Sequence, residues 1–203
     1  MLGLLFFVLL TIFLLMRLNS ILGMHIGYSM DRDELIDLDD DDENEADIQD
    51  VTLSKKDKNL LVLQKVDSDF TEEIFLNKAK KAFEMIFSAY ANEDTAVLKA
   101  LMHPRIFRAF QLAIQDRQKR GEKLEGSILR FIRTEIEDVD LNDGKCFVKV
   151  KFVTEQSEIL KNANGDVIEG DVNFAETHTD VWTFSKDISD RSPAWYLTEI
   201  SSN

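Results

Sequence analysis

The sequence predicts an α+β domain in which N-terminal helices pack on a curled antiparallel sheet, preceded by one transmembrane helix and a disordered acidic linker. Three observations support this prediction. A long uncharged apolar run opens the chain, a carboxylate-rich stretch follows it, and the hydrophobic period then changes from the 3.6 of helices to the 2 of strands. Since the helices come first and the strands follow without β-α-β alternation, the α+β class is expected.

The first element is a transmembrane anchor, expected over residues 1–24. Residues 2–16, LGLLFFVLLTIFLLM, contain no charge, and Arg17 follows them. Fifteen helical residues rise about 22 Å against a hydrocarbon core of about 30 Å, so the span should continue to about Gly23. A cleaved signal peptide competes with this interpretation, but nothing basic precedes the run and no small residues mark a cleavage site. Arg17 and Arg32 then place the N-terminus outside and residues 25–203 in the cytoplasm.

The second element is an acidic linker, expected to be disordered over residues 25–67. Residues 31–50 hold twelve carboxylates and one arginine, a net charge of −11 within the −14 of the whole chain. Such a segment is too polar to offset the entropy of ordering. A docking site for a basic partner is the alternative to a plain spacer. The rest of the chain is nearly neutral, and its basic and aromatic residues are not interleaved, so nucleic acid is not the expected partner.

The helices of the folded domain, residues 68–203, come next. Ser68 and Asp69 are expected to cap a long amphipathic helix that ends near Asn92, and a shorter helix should run from Asp94 to Leu101. A third helix should begin at His103-Pro104 and continue through Arg120, where Gly121 ends it.

The strands follow in SILRFIRTEIEDVDL (127–141) and KCFVKVKFVTEQSEIL (145–160), where the period changes to 2 and Cys146, Val148, Val150 and Phe152 occupy alternate positions. Asn142-Asp143-Gly144 and residues 162–166 have the composition of hairpin turns. A third strand near 175–185 and a short fourth near 195–200 complete an antiparallel meander.

Few residues are suited to catalysis. The single Cys146 has no disulfide partner, and we expect neither a metal site nor a cofactor because no glycine-rich phosphate loop or paired-cysteine motif is present. His178 and Asp180 lie two apart on a predicted strand, so they share a face and could form a carboxylate-oriented base. A solvated strand face is the simpler interpretation of the same spacing.

Binding is better supported than catalysis, by aromatic and basic side chains on the predicted helices. The candidates for lining an apolar pocket are Phe83, Phe87, Phe107, Phe110 and Trp182. The basic residues that could contact anionic headgroups are Lys78, Lys80, Lys81, Arg105, Arg108 and Arg117. A solvated helix face is the alternative for this basic set.

Five segments carry a resemblance to a known family: FLNKAKKAFEMI (75–86), FQLAIQDRQKRGE (110–122), VKVKFVTEQ (148–156), NGDVIEG (164–170) and TDVWTFSKD (179–187). Together they resemble the C-terminal domain family of subunit forty-four of the mitochondrial inner-membrane translocase, including its membrane-anchored bacterial members of the TimA type. The string from Asp180 to Phe184, followed by Pro193 and Trp195, is the most specific part.

The resemblance implies a fold like that of nuclear transport factor two, with an apolar pocket and no catalytic activity. It implies a noncatalytic adaptor at the inner membrane that binds a protein partner or anionic lipid, linked to protein translocation or membrane-protein assembly. Carried over to this chain, the lipid-facing candidates are Phe70, Phe75, Lys78, Lys80 and Lys81. Two alternatives remain open: a membrane tether for ribosomes that uses Arg105, Arg108 and Arg117, and a small-molecule pocket enzyme that uses His178 and Asp180.

Overall fold

A computed structural model describes residues 54–67, 69–171, 174–189 and 194–202. The anchor expected over 1–24 and the linker as far as residue 53 lie outside the described residues. Within them, no helix is both long enough and apolar enough to cross a membrane. The described elements are, in chain order, α1 Lys55–Val66, α2 Glu72–Ala91, α3 Thr95–Leu101, α4 Pro104–Arg120, β1 Lys123–Asn142, β2 Lys145–Lys161, β3 Val167–Gly170, β4 Glu176–Asp187 and β5 Tyr196–Ser202.

Helix α1 lies inside the stretch for which the sequence predicts a disordered linker, so the folded domain begins earlier than residue 68. The Ser54 side chain caps it by accepting a hydrogen bond from the Asp57 amide, and Leu60 and Leu63 are buried against the domain. The Asn59 side-chain amide donates to the carbonyl of Val139 at 2.7 Å. Helix α1 therefore covers part of the outer edge of β1, whose carbonyls lack a strand partner on that side.

The long helix α2 starts at Glu72, and the cap expected at Ser68 and Asp69 is wrong. Thr71 takes that role, because its hydroxyl oxygen accepts a hydrogen bond from the Ile74 amide at 3.1 Å. Two glutamates occupy the first turn, where negative charge is favoured by the helix dipole.

The two following helices confirm the sequence prediction. Asp94 caps α3, since its carboxylate accepts from the amides of Ala96 and Val97, each at 3.1 Å. Helix α4 has proline at its first position and ends at Gly121, whose φ of 68° is readily adopted only without a side chain.

The strands form one antiparallel sheet in the order β1-β2-β4-β5, and the short β3, which the sequence did not predict, pairs with the end of β2. The expected hairpin between β1 and β2 is confirmed, with positive φ at Asp143 and Gly144, as a two-residue type I′ turn requires. Strand β1 has three register shifts along its pairing with β2. Such bulges bend and twist a strand, which curls the sheet around α2.

The concave face of the sheet packs on α2. Alternate residues of β2 point inward, and its Val148, Val150 and Phe152 are fully buried. The ring of Phe83, on α2, lies 4.4 Å from the Trp182 ring and 4.8 Å from the Phe152 ring, measured between centroids. The main core is thus a contact between the buried face of α2 and the aromatic side chains of β2 and β4.

Candidate functional site

The aromatic residues expected to line one pocket occupy three places. Phe83 and Trp182 are brought together in the core, where both are buried. Phe87 lies at the far end of α2, beside Gly126 of β1, and Phe110 of α4 packs edge-on against Tyr90 at 5.2 Å. Phe107 is half-buried against the core and lies apart from these, beside a surface groove.

Phe107 lines a groove between the α3–α4 junction and β5. The groove has a volume of about 360 Å³ and is lined by Lys99, Met102, His103, Pro104, Phe107 and Tyr196. The His103 amide donates to the Leu197 carbonyl at 2.9 Å, which holds the α3–α4 junction against β5. The groove is therefore a surface feature with a largely apolar lining.

A second arrangement, here called the polar end, lies at one end of the concave face and consists of Gln156, Glu158, Glu176, His178 and Asp180. Strand pairing places Phe152 opposite Asp180, Thr154 opposite His178 and Gln156 opposite Glu176. Because directly opposed residues share a face and β2 alternates, all five side chains lie on the same face as buried Phe152. The expectation of a solvated face for His178 and Asp180 is wrong, since Asp180 is 6% exposed and the His178 side chain 17%.

Burial dominates the electrostatics of the polar end. It raises the pKa of Glu158 to about 8, with nearby Asp180 and Glu176 adding to the effect, and it raises the pKa of Asp180 to about 6. Burial also lowers the pKa of His178, although Glu176, at 3.9 Å, acts in the opposite direction. No cluster of acidic, histidine or cysteine side chains within the described ranges could hold a metal ion.

Sequence reasoning identified His178 and Asp180 but missed their β2 partners Gln156 and Glu158. The signal was present in the period-2 pattern of β2, which places these residues on the face of Phe152. What the pattern does not contain is the pairing register with β4, which puts the two strands' polar residues side by side.

The aromatic residues expected to face lipid are inside the fold. Phe70 and Phe75 are 6% and 4% exposed, and the Phe75 ring lies 4.9 Å from that of Trp195 and 6.2 Å from that of Phe184. Their expected role as lipid contacts is therefore wrong for this structure, because these rings pack against β4 and the start of β5.

The exposed face of α2 carries a different set of residues, here called the α2 stripe: Ile74, Lys78, Lys81 and Met85. Their spacing of 4, 3 and 4 residues places them on one side of the helix, and all are exposed. Lys80 lies off this stripe and extends over the Phe131 ring, with its Nζ 5.9 Å from the ring centroid. Two of the three lysines predicted to contact lipid thus share one surface with two exposed apolar side chains.

The arginines of α4 separate into surface and structural residues. Arg105 and Arg108 are exposed, whereas Arg117 is 4% exposed and donates to the Tyr90 carbonyl at 2.7 Å. The prediction that Arg117 contacts lipid, ribosome or partner is wrong, because its guanidinium is enclosed between α4 and the end of α2.

Taken together, these features define an α+β domain with a filled aromatic core, an apolar surface groove, an amphipathic helix stripe and a buried polar end. The family model described as "Tim44-like domain" matches residues 57–202, and the chain belongs to that family.

Curated relatives carry the same region. The chain is 26% identical over 149 residues to the probable mitochondrial import inner membrane translocase subunit tin-44 of Caenorhabditis elegans, covering 70% of this chain and 34% of that protein. It is 26% identical over 152 residues to the mitochondrial import inner membrane translocase subunit TIM44 of Mus musculus, covering 71% of this chain and 32% of that protein. The chain thus spans about a third of the length of these relatives.

Solved structures show weaker likeness. The intermembrane space region of the chloroplast protein ARC6 aligns with a TM-score of 0.41 at 13% identity, covering 70% of this chain and 95% of that one. A putative dehydratase of the NTF2-like family from Streptomyces avermitilis aligns with a TM-score of 0.33 at 13% identity, covering 66% of this chain and 99% of that one.

Proposed function

We propose that this protein is a noncatalytic, membrane-anchored adaptor that serves protein translocation or membrane-protein assembly at the inner membrane. Membership of the Tim44-like family supports the proposal, as do relatives named as inner-membrane translocase subunits. The anchor is the apolar segment at residues 1–24, and the globular domain lies on the cytoplasmic side.

The contact with the membrane is proposed from the α2 stripe. Ile74 and Met85 are 45% and 47% exposed, so apolar surface is presented to solvent at both ends of the stripe. Lys78 and Lys81 lie between them and form no ion pair within the described ranges. Apolar side chains flanking a pair of lysines suit a surface of anionic headgroups, where each close lysine contributes about 1 kcal/mol.

The arginines of α4 add to this basic surface. Arg105 and Arg108 are exposed and have no ion pair within the described part of the chain. They are secondary contacts in the proposal, because only one exposed apolar residue, Leu112, lies near them along α4.

Vesicle flotation of residues 54–203 tests the membrane contact. This fragment retains every residue of the hydrophobic core and removes the anchor, which would float by itself. We expect flotation with vesicles that contain an anionic lipid and not with neutral vesicles. The double variant Lys78→Glu/Lys81→Glu should lose flotation, whereas the control Lys58→Glu/Lys65→Glu, with the same charge change on exposed lysines of α1, should keep it. Equal flotation with both vesicle types, or with neither, would contradict the proposal.

The protein partner is assigned to the groove that contains Phe107. Its lining is apolar and open, which suits a hydrophobic segment of another protein. In-cell crosslinking with a photoreactive residue at Phe107 should give a discrete protein adduct in the membrane fraction. The same residue at buried Trp182 is the control and should crosslink only within the chain. If the residue at Phe107 crosslinks only to other parts of the same chain, the groove is not the binding site for the partner.

A further inference from the structure

The polar end contains hydrogen-bond acceptors without donors. Asp180 Oδ2 and Gln156 Oε1 are buried and accept no hydrogen bond from any described residue. The two residues are 6% and 2% exposed, and Gln156 uses its amide nitrogen to donate to Thr154 Oγ1 at 2.6 Å. Glu158, on the same face, makes no ion pair or hydrogen bond with another described residue.

Unpaired buried acceptors are uncommon because each costs free energy when it leaves water without a partner. The cost is larger for carboxylates, which within a domain are normally paired with a cation. Within the described ranges, no lysine or arginine forms an ion pair with Asp180, Glu158 or Glu176. Arg117 donates to the Tyr90 carbonyl and approaches Glu93 at 3.5 Å, and burial favours the neutral form of His178 by lowering its pKa.

We propose that the polar end is a binding site for an organic cation, whose ammonium or guanidinium group pairs with the Asp180 carboxyl within this row of polar side chains. The ligand chemistry follows from the site's chemistry, because the unsatisfied atoms are acceptors and lie among three carboxyl groups. A cation with several N–H donors satisfies both needs at once. This inference does not rest on the membrane role proposed above.

Side-chain exposure increases along β4 with distance from Asp180. Asp180 is 6% exposed, the His178 side chain 17%, and that of Glu176, which pairs with Gln156, 40%. Carboxylates therefore extend from solvent to the interior along β4. On the helix side, the edge of the Phe87 ring lies beside Gly126 and Glu158.

Binding of a cation at the polar end should depend on pH through Glu158. Without a cation, burial holds the pKa of Glu158 at about 8, so this group is largely protonated at neutral pH. A bound cation favours the ionised form and lowers that pKa, so binding should release protons and strengthen as the pH rises from 6 to 8. The groups that face Glu158 are Asp180 and Glu176 from β4 and Tyr90 from α2.

Isothermal titration calorimetry of the full chain in mild detergent tests the proposal, with butylguanidinium as the probe and neutral butylurea as its isostere. We expect butylguanidinium to bind with proton release, detected as a dependence of the heat on the buffer's ionisation enthalpy, and butylurea not to bind. Asp180→Asn should weaken binding about tenfold or more, as loss of a charge-assisted hydrogen bond predicts. Glu155→Gln, on the opposite face of β2, is the control and should leave binding unchanged.

Stability separates a binding residue from a structural one. Asp180→Asn removes a buried, unpaired carboxyl, so the variant should be at least as resistant to denaturant as the original chain while losing the cation. Equal binding of butylguanidinium and butylurea, no binding of either, or an Asp180→Asn variant that binds normally would each overturn the proposal.

Two sources of the cation are distinguished by a parallel titration with an arginine blocked at both termini. Tighter binding of butylguanidinium indicates a free small molecule, because the amide groups of the blocked residue then obstruct entry. Tighter binding of the blocked arginine indicates a basic side chain presented by a polypeptide. Both results support the shared chemistry of the site.

Discussion

Arg117 donates a hydrogen bond from its Nη2 to the backbone carbonyl of Tyr90 at 2.7 Å, and its guanidinium lies 4.8 Å from the centroid of the Tyr90 ring. One side chain of α4 thus binds the last turn of α2 through a hydrogen bond and a cation–π contact. Glu93, just beyond α2, approaches the same guanidinium at 3.5 Å. This contact orients α4 on the rest of the domain.

Replacing Arg117 by alanine should destabilise the domain by about 2–3 kcal/mol, because the change removes a buried side chain together with its charge-assisted hydrogen bond to the Tyr90 carbonyl and its contact with the Tyr90 ring. Chemical denaturation of residues 54–203 measures the effect. Arg117→Lys should recover only part of the loss, since an ammonium lacks the planar fork. Arg108→Ala, an exposed change on the same helix, is the control, and an equal loss there would contradict the assignment.

Asn59→Ala should cost about 1 kcal/mol, the usual contribution of one hydrogen bond, because the Val139 carbonyl then loses its donor from α1. The same denaturation experiment detects it. Asn77→Ala, at an exposed position of α2, provides the matched control and should be slightly stabilising, because alanine favours the helix and no hydrogen bond to another element is lost. If both variants behave alike, the bond to the edge of β1 does not stabilise the fold.

The Cys146 thiol should resist alkylation in the folded protein. It is fully buried, and burial raises its pKa to about 12, so almost no thiolate forms at pH 8. Mass spectrometry after iodoacetamide treatment should show the unmodified chain under native conditions and a single adduct in denaturant. Rapid modification of the native chain would show that the β1–β2 hairpin opens readily.

The ion pair between Lys186 and Asp67 should make stability fall at acid pH. Lys186 donates to Asp67 Oδ2 at 2.6 Å, and this bond lowers the carboxyl pKa below its ordinary value of 3.8. A lowered pKa contributes stability above 3.8 that is lost as the pH falls through the folded-state value. Asp67→Asn should thus cost about 1 kcal/mol at pH 7, and this cost should shrink as the pH falls below 3.8. A cost that does not shrink on acidification would assign the effect to something other than charge.

Glu158 should give the opposite pH dependence. Burial raises its pKa from 4.5 to about 8, so its stabilising contribution is complete below pH 4.5 and is lost as the pH rises through 8. Glu158→Gln should flatten the decline of the melting temperature between pH 6 and 9 and make the domain more stable at pH 9. A parallel decline in both proteins would mean that Glu158 is solvated.

Local patterns predicted the elements whose causes are local. The caps at Asp94 and Gly121, the turn at Asp143-Gly144 and the inward alternation of β2 depend on residues close in sequence, and each was foreseeable. Helix α1 was missed because it follows the acidic stretch directly, begins with the polar run KKDKN, and is stabilised by distant contacts such as that of Asn59 with Val139.

For the candidate functional residues too, the sequence predicted what depends on local pattern and not what depends on distant contacts. Exposure of Lys78 and Lys81 follows from helical periodicity, but the burial of Phe75 and Arg117 depends on what α2 and α4 pack against. Both residues resemble surface contacts when the sequence is considered alone. The sequence predicted only His178 and Asp180 of the polar end, because the register between β2 and β4 decides which polar residues lie side by side.

The order of the elements along the chain has a consequence during synthesis. The apolar face of α2 emerges from the ribosome well before β2 and β4, which carry the Phe152 and Trp182 rings that cover Phe83. Until β4 has been made, a nascent chain lacks the Trp182 ring that packs on Phe83 and the Phe184 ring that packs on Phe75. Folding must therefore wait for distant contacts, and a chain stalled before β4 should be a strong client for cellular chaperones.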